Sequence, residues 1–196
     1  MKKPDYYHYL AKKKGYKSRA AFKLIQINDR FYIIKRGYTV LDLGASPGGW
    51  SEVALRLVGE SGKVIAIDVK PVKVQGVLFI NADVFSDNII DKILEIVNRI
   101  DVVLSDLSPN ISGIHSLDHA RAMELARRAF FIAANTLREG GNFVTKVFQG
   151  DMLNRFVRDL RKNFELVKVH KPRASNSKSS ETYVICKRFK PARKDS

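Results

Sequence analysis

The sequence predicts an α/β fold, in which helices cover both faces of a seven-stranded, mostly parallel β-sheet. Two observations carry this prediction. Short apolar segments typical of strands alternate with segments of helical periodicity, which implies right-handed crossovers between parallel strands. Only residues 171–180 separate the last two strand segments, and they lack helical periodicity, so these strands should form a hairpin with an antiparallel final strand.

The individual elements follow from local patterns. A helix at residues 18–29 comes first, because Phe22, Ile25 and Asp29 recur at spacings of three and four and Ser18 is a favourable N-cap. Lys23 lies one position off the apolar face of this helix. Short apolar runs predict strands at residues 39–43, 64–68, 77–81, 101–105, 141–148, 166–170 and 181–186. Helical spacing predicts helices at residues 52–58, 87–98, 117–137 and 152–163.

Length and composition indicate one domain of ordinary size. The chain has 196 residues and is 45% hydrophobic, so we expect a single domain over residues 1–186 and a basic, disordered tail over residues 187–196. The longest apolar run, residues 129–134, is too short to cross a bilayer, and the first residues lack the apolar core of a signal peptide. A cytoplasmic, monomeric protein without membrane contact is expected. Cys186, the single cysteine, stands in an apolar run and should be a small buried hydrophobe.

Positive charge is concentrated at the two ends of the chain. The net charge is +15, yet residues 1–36 hold 11 Lys and Arg against 2 Asp and Glu, and residues 161–196 hold 11 against 3. Basic ends on a near-neutral middle predict contact with a polyanion. Aromatic rings interleaved with the basic residues favour RNA or another single-stranded nucleic acid over a membrane. These rings belong to Tyr6, Tyr7, Tyr9 and Tyr16.

The segment T-V-L-D-L-G-A-S-P-G-G, residues 39–49, predicts a turn that binds a nucleotide-like ligand. A short strand enters it, a helix leaves it, and Gly44, Gly48 and Gly49 allow close backbone approach. The spacing acid-x-G-x-x-x-G is the form usual in methyltransferases that use S-adenosylmethionine (SAM), and it differs from the tighter glycine loop of dinucleotide folds. A glycine-rich turn required only by sterics remains the alternative.

Polar residues close four successive predicted strands. Ligands of parallel α/β sheets bind at the carboxyl ends of the strands, so these residues are candidates for a site. Asp68 lies 20 residues after Gly48, where an acid can bind ribose hydroxyls, and Asp83 follows the third strand, where it could meet an adenine edge. Asp106 ends the fourth strand and Lys146 lies near the end of the fifth. Any one of them could instead cap a helix.

His115 and His119 have the four-residue spacing of a metal-binding helix face. No other His or Cys cluster accompanies them, and Asp118 between them suits the first turn of a helix. We therefore predict a helix start at the rim of the site and no metal. Met152 and Phe156 are expected to be core residues.

At these residues the chain resembles the FtsJ/RrmJ family of SAM-dependent RNA ribose 2′-O-methyltransferases, which have a Rossmann-like fold. The similarity runs from Lys17 to Tyr183 through S-R-A-A-F-K-L, L-D-L-G-A-S-P-G-G-W, S-D-L-S-P-N-I-S-G, T-K-V-F-Q-G and K-P-R-A-S-N-S-K-S-S-E-T-Y. Asn176 departs from the pattern, since an arginine is expected there. The resemblance implies a catalytic tetrad of Lys23, Asp106, Lys146 and Glu181. It implies SAM contacts by Gly48, Trp50, Asp68, Asp83 and Asp106.

The implied reaction requires a base, because a ribose hydroxyl must lose its proton as it attacks a methyl group in line. Lysine in water has a pKa of about 10.4, so a lysine base such as Lys146 needs surroundings that favour the neutral amine. Lys23 and the positive sulfur of SAM would favour that form, and Asp106 and Glu181 would oppose it while positioning the reactants. Two surface salt bridges without catalytic function are the competing interpretation.

Several functions remain open on the sequence alone. Our preferred hypothesis is 2′-O-methylation of a uridine in 23S-type large-subunit ribosomal RNA, and methylation of a transfer RNA anticodon loop is the alternative. A nicotinamide oxidoreductase shares the fold but needs the tighter glycine loop. A non-catalytic RNA-binding module would keep the basic ends without a use for the tetrad.

Overall fold

The computed structural model describes residues 6–176 and 178–191. Its helices are α1 (Tyr6–Lys14), α2 (Ala20–Phe31), α3 (Gly49–Val58), α4 (Ile89–Leu94), α5 (His115–Thr136) and α6 (Asp151–Arg161). Its strands are β1 (Thr39–Leu43), β2 (Lys63–Asp68), β3 (Leu78–Asn81), β4 (Ile100–Ser105), β5 (Leu137–Phe148), β6 (Phe164–His170) and β7 (Glu181–Phe189). Within these ranges, no helix has both the length and the apolar character needed to span a membrane.

The seven strands form one sheet in the order β3-β2-β1-β4-β5-β7-β6. The first five in this order pair in parallel, with Leu41 opposite both Ile65 and Val103. β7 is antiparallel to β5 and to β6, which it separates. The predicted fold, with its antiparallel last strand and the β6–β7 hairpin, is confirmed.

Two apolar layers hold helices on opposite faces of the sheet. The interior strands are almost fully buried because both of their faces are covered. In β1, Leu41 and Leu43 join the layer beneath α4, α5 and α6, whereas Val40 points to the layer beneath α2 and α3. Phe156 of α6 is buried in the first layer and Met152 packs against it, which confirms the prediction that both are core residues. Cys186 is a buried free thiol, as predicted.

The N-terminal part of the chain differs from the prediction. Helix α1 was not predicted, because its apolar contacts are few: Tyr7, Leu10 and Ala11 form a small cluster with Phe22. Helix α2 begins at Ala20 without a side-chain cap, so the prediction that Ser18 caps it was wrong. The Ser18 hydroxyl is buried because the segment before α2 folds against the start of α3, and among the described residues it has no hydrogen-bond partner.

Two further boundaries differ for reasons of burial. Helix α4 ends at Leu94 instead of residue 98, since Ile89 and Ile93 reach the core while Ile96 is exposed. Strand β7 continues to Phe189, beyond the predicted end at Cys186, because the Phe189 ring is buried against Phe164. The prediction of a disordered tail from residue 187 was therefore wrong for the first residues of that tail. Residues 192–196 lie outside the described residues.

Candidate active site at the carboxyl edge of the sheet

The topology brings the predicted site residues to one edge of the sheet. The parallel strands β1, β2, β4 and β5 end there, and β7 begins there because it runs in the opposite direction. We call this the carboxyl edge. Asp68 ends β2, Asp106 follows β4, and Lys146 lies close to the end of β5. Glu181 reaches the same edge as the first residue of β7, paired opposite Phe148.

Four charged side chains at this edge form two ion pairs. The Lys23 Nζ lies 2.6 Å from Glu181 Oε1, and the Lys146 Nζ lies 3.4 Å from Asp106 Oδ1. The Lys146 amine also donates a hydrogen bond of 2.8 Å to the Asp106 carbonyl. Both lysine side chains are more than nine-tenths buried, with 8% and 7% exposed. Buried charges of opposite sign must be paired to be tolerated, so the two pairs form a neutral, water-poor cluster.

Tyr183 joins the two ion pairs, and the sequence analysis missed it as a site residue. Its hydroxyl donates to Asp106 Oδ1 at 2.7 Å and lies 3.3 Å from Glu181 Oε1. Alternation along β7 could have revealed it, because Tyr183 stands two residues after Glu181 and so shares its face. Its partner across the sheet is Lys146. The phenol therefore fixes the relative position of the two carboxylates.

The surroundings shift the ionisation of this cluster. Burial raises the pKa of Glu181, but the nearby ammonium of Lys23, with Lys146 and the Ser175 hydroxyl, outweighs it and leaves that pKa below its ordinary value. Burial and the charges of Asp106 and Glu181 raise the pKa of Tyr183 well above its ordinary value. At neutral pH, Glu181 is therefore an acceptor and Tyr183 a hydroxyl donor.

A cavity of about 340 Å³ lies beside the cluster, at the ends of β1 and β2. Asp68 and Asp83 line it together with Gly44, Phe85 and Leu107. Asp68 Oδ2 accepts from the Ser46 amide at 2.9 Å and Oδ1 accepts from the Lys70 amide at 2.8 Å, which orients the carboxylate.

Asp83 Oδ1 accepts from the Phe85 amide at 2.9 Å. Both predicted acids thus face the cavity and also hold the turns from which they project.

The turn between β1 and α3 depends on its glycines. Gly44 and Gly48 have φ of +73° and +115°, a region that side chains rarely adopt. A Cβ at Gly48 would lie 2.5 Å from Val74, and a Cβ at Gly49 would lie 2.3 Å from the Ser18 hydroxyl. The glycines therefore let the turn pack tightly against residues 72–74 on one side and the segment before α2 on the other.

Asp42, the acid of the glycine-turn motif, is fully buried beneath this turn. Its Oδ2 accepts a 2.6 Å hydrogen bond from the Ser51 hydroxyl in α3, while its Oδ1 has no partner. Burial raises the pKa of Asp42 to about 7, and the charges of Asp106 and Asp68 add to the effect. In the sequence Asp42 stands out only as part of the motif, and its role in supporting the turn was not predicted.

A small cavity of about 30 Å³ connects the glycine turn with the charged cluster. Ser18, Gly49, Trp50 and Asp106 are among the residues that line it. Trp50 is buried, donates to the Ala20 carbonyl at 2.8 Å and packs 5.6 Å from the Tyr183 ring. Its aromatic ring supports the cluster, and its predicted contact with a cofactor stays a prediction.

This arrangement fits an adenosine-containing cofactor. The 340 Å³ cavity presents the carboxylates of Asp68 and Asp83 as acceptors for hydroxyl and amine groups. The adjoining cavity contains the Ser18 hydroxyl, a buried polar group without a partner. A buried hydroxyl without a hydrogen bond is costly, so a polar group of a ligand would satisfy it. Gly48 faces Val74 on the side where a Cβ would stand, and its predicted contact with the cofactor stays a prediction.

The N-terminal basic flank presents exposed charge and exposed aromatic rings. Lys13, Lys14 and Lys17 are exposed, as are the rings of Tyr6 and Tyr9. The other two tyrosines expected to stack on bases are not free to do so. Tyr7 and Tyr16 pack on Phe22 with ring centroids 5.7 and 5.4 Å apart, respectively.

Asn176 lies exposed in the connection between β6 and β7, and its hydrogen bonds to the residues that the structure describes are local. Its side-chain oxygen accepts from the Lys178 amide at 3.0 Å. Asn176 thus shapes the connection where an arginine was expected.

The two histidines lie at the start of α5, as predicted. Their rings stack with centroids 6.4 Å apart, and the intervening Asp118 accepts hydrogen bonds from Ser112 and Gly113. His119 is buried against Gly150, and neither of its ring nitrogens has a hydrogen-bond partner among the described residues. Within residues 6–176 and 178–191, no group of three or more His, Cys, Asp or Glu side chains could hold a metal ion.

Comparison with known proteins gives concordant results. The model of the FtsJ-like methyltransferase family matches residues 16–189. The chain is 49% identical over 187 residues to ribosomal RNA large subunit methyltransferase E of Archaeoglobus fulgidus, which covers 95% of this chain and 96% of that protein. It is 48% identical over 196 residues to the protein of the same name from Methanocaldococcus jannaschii, with 96% and 80% covered.

Solved structures show the same architecture. A candidate ribosomal RNA methyltransferase from Plasmodium falciparum superposes with a TM-score of 0.82 at 31% identity, over 90% of this chain and 100% of that one. A chain of the fibrillarin/Nop5p complex superposes with a TM-score of 0.61 at 17% identity, over 85% of this chain and 81% of that one. The second comparison supports the fold alone.

Proposed function

This chain belongs to the FtsJ-like methyltransferase family, and from that premise we propose that it methylates the 2′-hydroxyl of a ribose in RNA with SAM as the methyl donor. The proposed target is a uridine of 23S-type large-subunit ribosomal RNA. The observation that carries the proposal is the buried cluster of Lys23, Asp106, Lys146, Glu181 and Tyr183 next to a cavity suited to adenosine. The competing interpretation, two surface salt bridges, does not account for this cluster, because Lys23 and Lys146 are both buried.

In the proposed mechanism, Lys146 Nζ accepts the proton of the attacking hydroxyl. Asp106 holds this amine through its carbonyl at 2.8 Å and its carboxylate at 3.4 Å. A base fixed in this way can act only when its amine is neutral, and positioned bases contribute about a hundredfold or more to rate. Lys23 and Glu181, paired at 2.6 Å, lie on the other side of the Tyr183 hydroxyl and would position the ribose.

Asp68 and Asp83 are the proposed acceptors for the ribose hydroxyls and the adenine edge of the cofactor. Gly48, Trp50 and Asp106 complete the proposed cofactor site. SAM supplies a methyl group whose carbon is the electrophile of the transfer, because it is attached to a positively charged sulfur. The Asp68 and Asp83 carboxylates would hold the uncharged adenosine part of that molecule, and the backbone of the glycine turn would lie close to it. We propose that the reaction uses no metal ion.

The proposed substrate rests on the relatives and on charge. The relatives from Archaeoglobus fulgidus and Methanocaldococcus jannaschii are named for large-subunit ribosomal RNA, and they are similar along most of this chain. Residues 1–36 and 161–196 carry net charges of +9 and +8, against −2 for the residues between them, and such basic flanks suit a polyanion. We propose that these flanks contact RNA phosphates while a monomeric domain acts on the ribose.

One experiment tests the activity and the substrate together. The protein is incubated with tritiated SAM and, in parallel, with large ribosomal subunits, naked ribosomal RNA and transfer RNA, all from cells that lack the modification. We expect label in large-subunit ribosomal RNA at a 2′-O-methylated uridine. Label confined to transfer RNA would replace the proposed substrate by the anticodon-loop alternative. Tight RNA binding without any label would favour the non-catalytic module.

A further inference from the structure

A second cleft opens between α1, α2 and the end of β6. It has a volume of about 400 Å³ and lies outside the residues of the proposed methyl-transfer site. Its walls combine aromatic, basic and amide side chains, a composition that suits a nucleotide. The lining residues are Tyr7, Gln26, Asp29, Arg30, His170 and Arg173.

The two arginines of the cleft hold positive charge available to a ligand. Arg30 and Arg173 are exposed, and in the described part of the chain neither forms an ion pair with a carboxylate. Arg30 lies 5.6 Å from the Phe31 ring. A guanidinium group binds phosphate oxygens with paired N–H donors, so these residues suit one or two phosphates. The Asp29 carboxylate reduces the net positive charge of the cleft and can accept a hydrogen bond from a ligand.

An aromatic surface lies beside the arginines. The His170 ring packs edge-on against Phe31, with centroids 5.4 Å apart. Burial, together with the charge of Arg30, lowers the pKa of His170, so the ring is neutral at physiological pH. A neutral imidazole offers a face on which an unpaired base stacks, and the Tyr7 ring, packed on Phe22, forms the wall beside it.

The cleft is built rigidly into the fold and is linked to the proposed active site. Gln26 donates to the Tyr7 hydroxyl at 3.1 Å and accepts from the Ala174 amide at 3.0 Å, so it joins α1, α2 and the β6–β7 connection. The next residue of that connection, Ser175, donates to Glu181 at 3.1 Å. Lys23, Gln26 and Arg30 share one face of α2, since they are three and seven residues apart. Seven residues span about 10 Å of helix, so Arg30 lies about 10 Å from Lys23 along α2.

We infer that this cleft is a subsite for an unpaired nucleotide that flanks the methylated one in the RNA strand. In this subsite Arg30 and Arg173 bind the phosphate, and the base stacks against His170 beside Tyr7. The inference rests on the proposed function, because it takes RNA as the substrate. The cleft would bind the flanking nucleotide at a fixed distance from Lys23. In this way it would hold a single RNA strand in register with the proposed active site.

The test compares variants of the cleft with a matched arginine elsewhere. Arg30→Ala and Arg173→Ala are measured beside Arg158→Ala, which removes an equally exposed arginine from α6. Binding of a fluorescent single-stranded oligouridylate is followed by anisotropy at fixed salt. We expect each cleft variant to weaken binding about tenfold, the loss of a charge-assisted hydrogen bond. Arg158→Ala should stay within about twofold.

Two further readouts separate the subsite from unspecific charge. In methyl transfer, the cleft variants should raise KM for RNA and leave kcat at saturating RNA unchanged. His170→Ala should weaken oligouridylate binding about fivefold and His170→Phe should restore it, because phenylalanine keeps a ring for stacking. Equal effects of the cleft variants and Arg158→Ala would overturn the inference while leaving the methyltransferase proposal intact. A wild-type protein that transfers no methyl group yet shows the arginine-dependent binding would overturn the proposed function and retain the cleft.

Discussion

Asp42 shows how a single buried carboxyl group can set the pH dependence of stability. It is 0% exposed, has one hydrogen-bond donor in Ser51 and leaves Oδ1 without a partner. Its pKa is raised to about 7 in the folded protein from 3.8. Between these values the folded state holds a proton that the unfolded state has lost, so the free energy of unfolding falls as pH rises through this window.

Asp42→Asn should therefore stabilise the protein at pH 8, where ionising the buried acid costs on the order of 4 kcal/mol. The amide oxygen can still accept the Ser51 hydrogen bond. Urea denaturation at pH 5 and pH 8 measures the difference, and the gain should be smaller at pH 5. An equal effect at both values would show that Asp42 keeps its ordinary pKa in the folded protein.

Asp68 tests the proposed cofactor cavity. Asp68→Ala removes the charged acceptor proposed for the ribose hydroxyls, and SAM binding should weaken by about 2 to 3 kcal/mol. Isothermal titration calorimetry with SAM measures this loss. Asp87→Ala, which removes an exposed acid outside the cavity, is the control. A folded Asp68 variant with an unchanged Kd would exclude Asp68 from the cofactor site.

Lys146 tests the proposed base. Lys146→Met keeps most of the length of the side chain and removes the amine, so methyl transfer should fall at least about a hundredfold while SAM binding changes only a few-fold. The wild-type rate should rise with pH, because only a neutral amine accepts a proton. Lys168→Met on exposed β6 is the control. A variant that retains more than about a tenth of the wild-type single-turnover rate would refute the assignment.

At the scale of elements, strand β7 connects the active site with the hydrophobic core. Its first residues, Glu181 and Tyr183, belong to the charged cluster, and its last, Phe189, is buried 5.2 Å from the Phe164 ring. The strand lies between β5 and β6, so it is hydrogen-bonded on both sides. Packing at its far end therefore helps to hold Glu181 in place.

Phe189→Ala should destabilise the fold by about 3 to 5 kcal/mol, the usual cost of removing a buried ring. Val169→Ala, an exposed position on the neighbouring strand β6, should cost about 1 kcal/mol or less. Denaturant unfolding of both variants gives the comparison. If Phe189→Ala matched the control, residues 187–189 would be a loosely held tail after all, as the sequence predicted.

At the scale of the whole molecule, the distribution of charge should govern RNA binding. Helix α1 packs Tyr7 and Ala11 against Phe22. Deleting the N-terminal segment would therefore have two effects: it would remove positive charge and it would expose part of the core. Substitution of exposed lysines separates the two effects. Lys13, Lys14 and Lys17 are exposed and suit this purpose.

The triple variant Lys13→Gln/Lys14→Gln/Lys17→Gln should bind RNA more weakly than wild type and depend less on salt. Each lost phosphate contact lowers the slope of log K against log salt by about 0.7 for single strands, or about 2 for three contacts. Binding measured from 50 to 300 mM salt gives the slope. An unchanged slope with a folded protein would show that these lysines do not contact phosphates.

The sequence alone determined the fold class, the order of most elements and the family. These properties depend on local patterns: apolar runs at strand spacing, glycines at a turn and polar residues directly after strands. The carboxyl-edge position of Asp68, Asp106 and Lys146 also followed from sequence, because parallel topology brings strand ends together. Glu181, at the start of the antiparallel strand β7, was assigned to the site only through the family resemblance. Their assigned roles in catalysis and cofactor binding stay predictions.

Tertiary structure decided what depends on contacts between distant segments. The Tyr183 hydroxyl bridges Asp106 and Glu181, and Ser18 meets Gly49, only because separate elements pack together. The raised pKa of Asp42 is likewise invisible in sequence, since it arises from burial by helices and strands on both sides. The clefts exist for the same reason: a volume between elements is set by how they pack, and no local pattern encodes it.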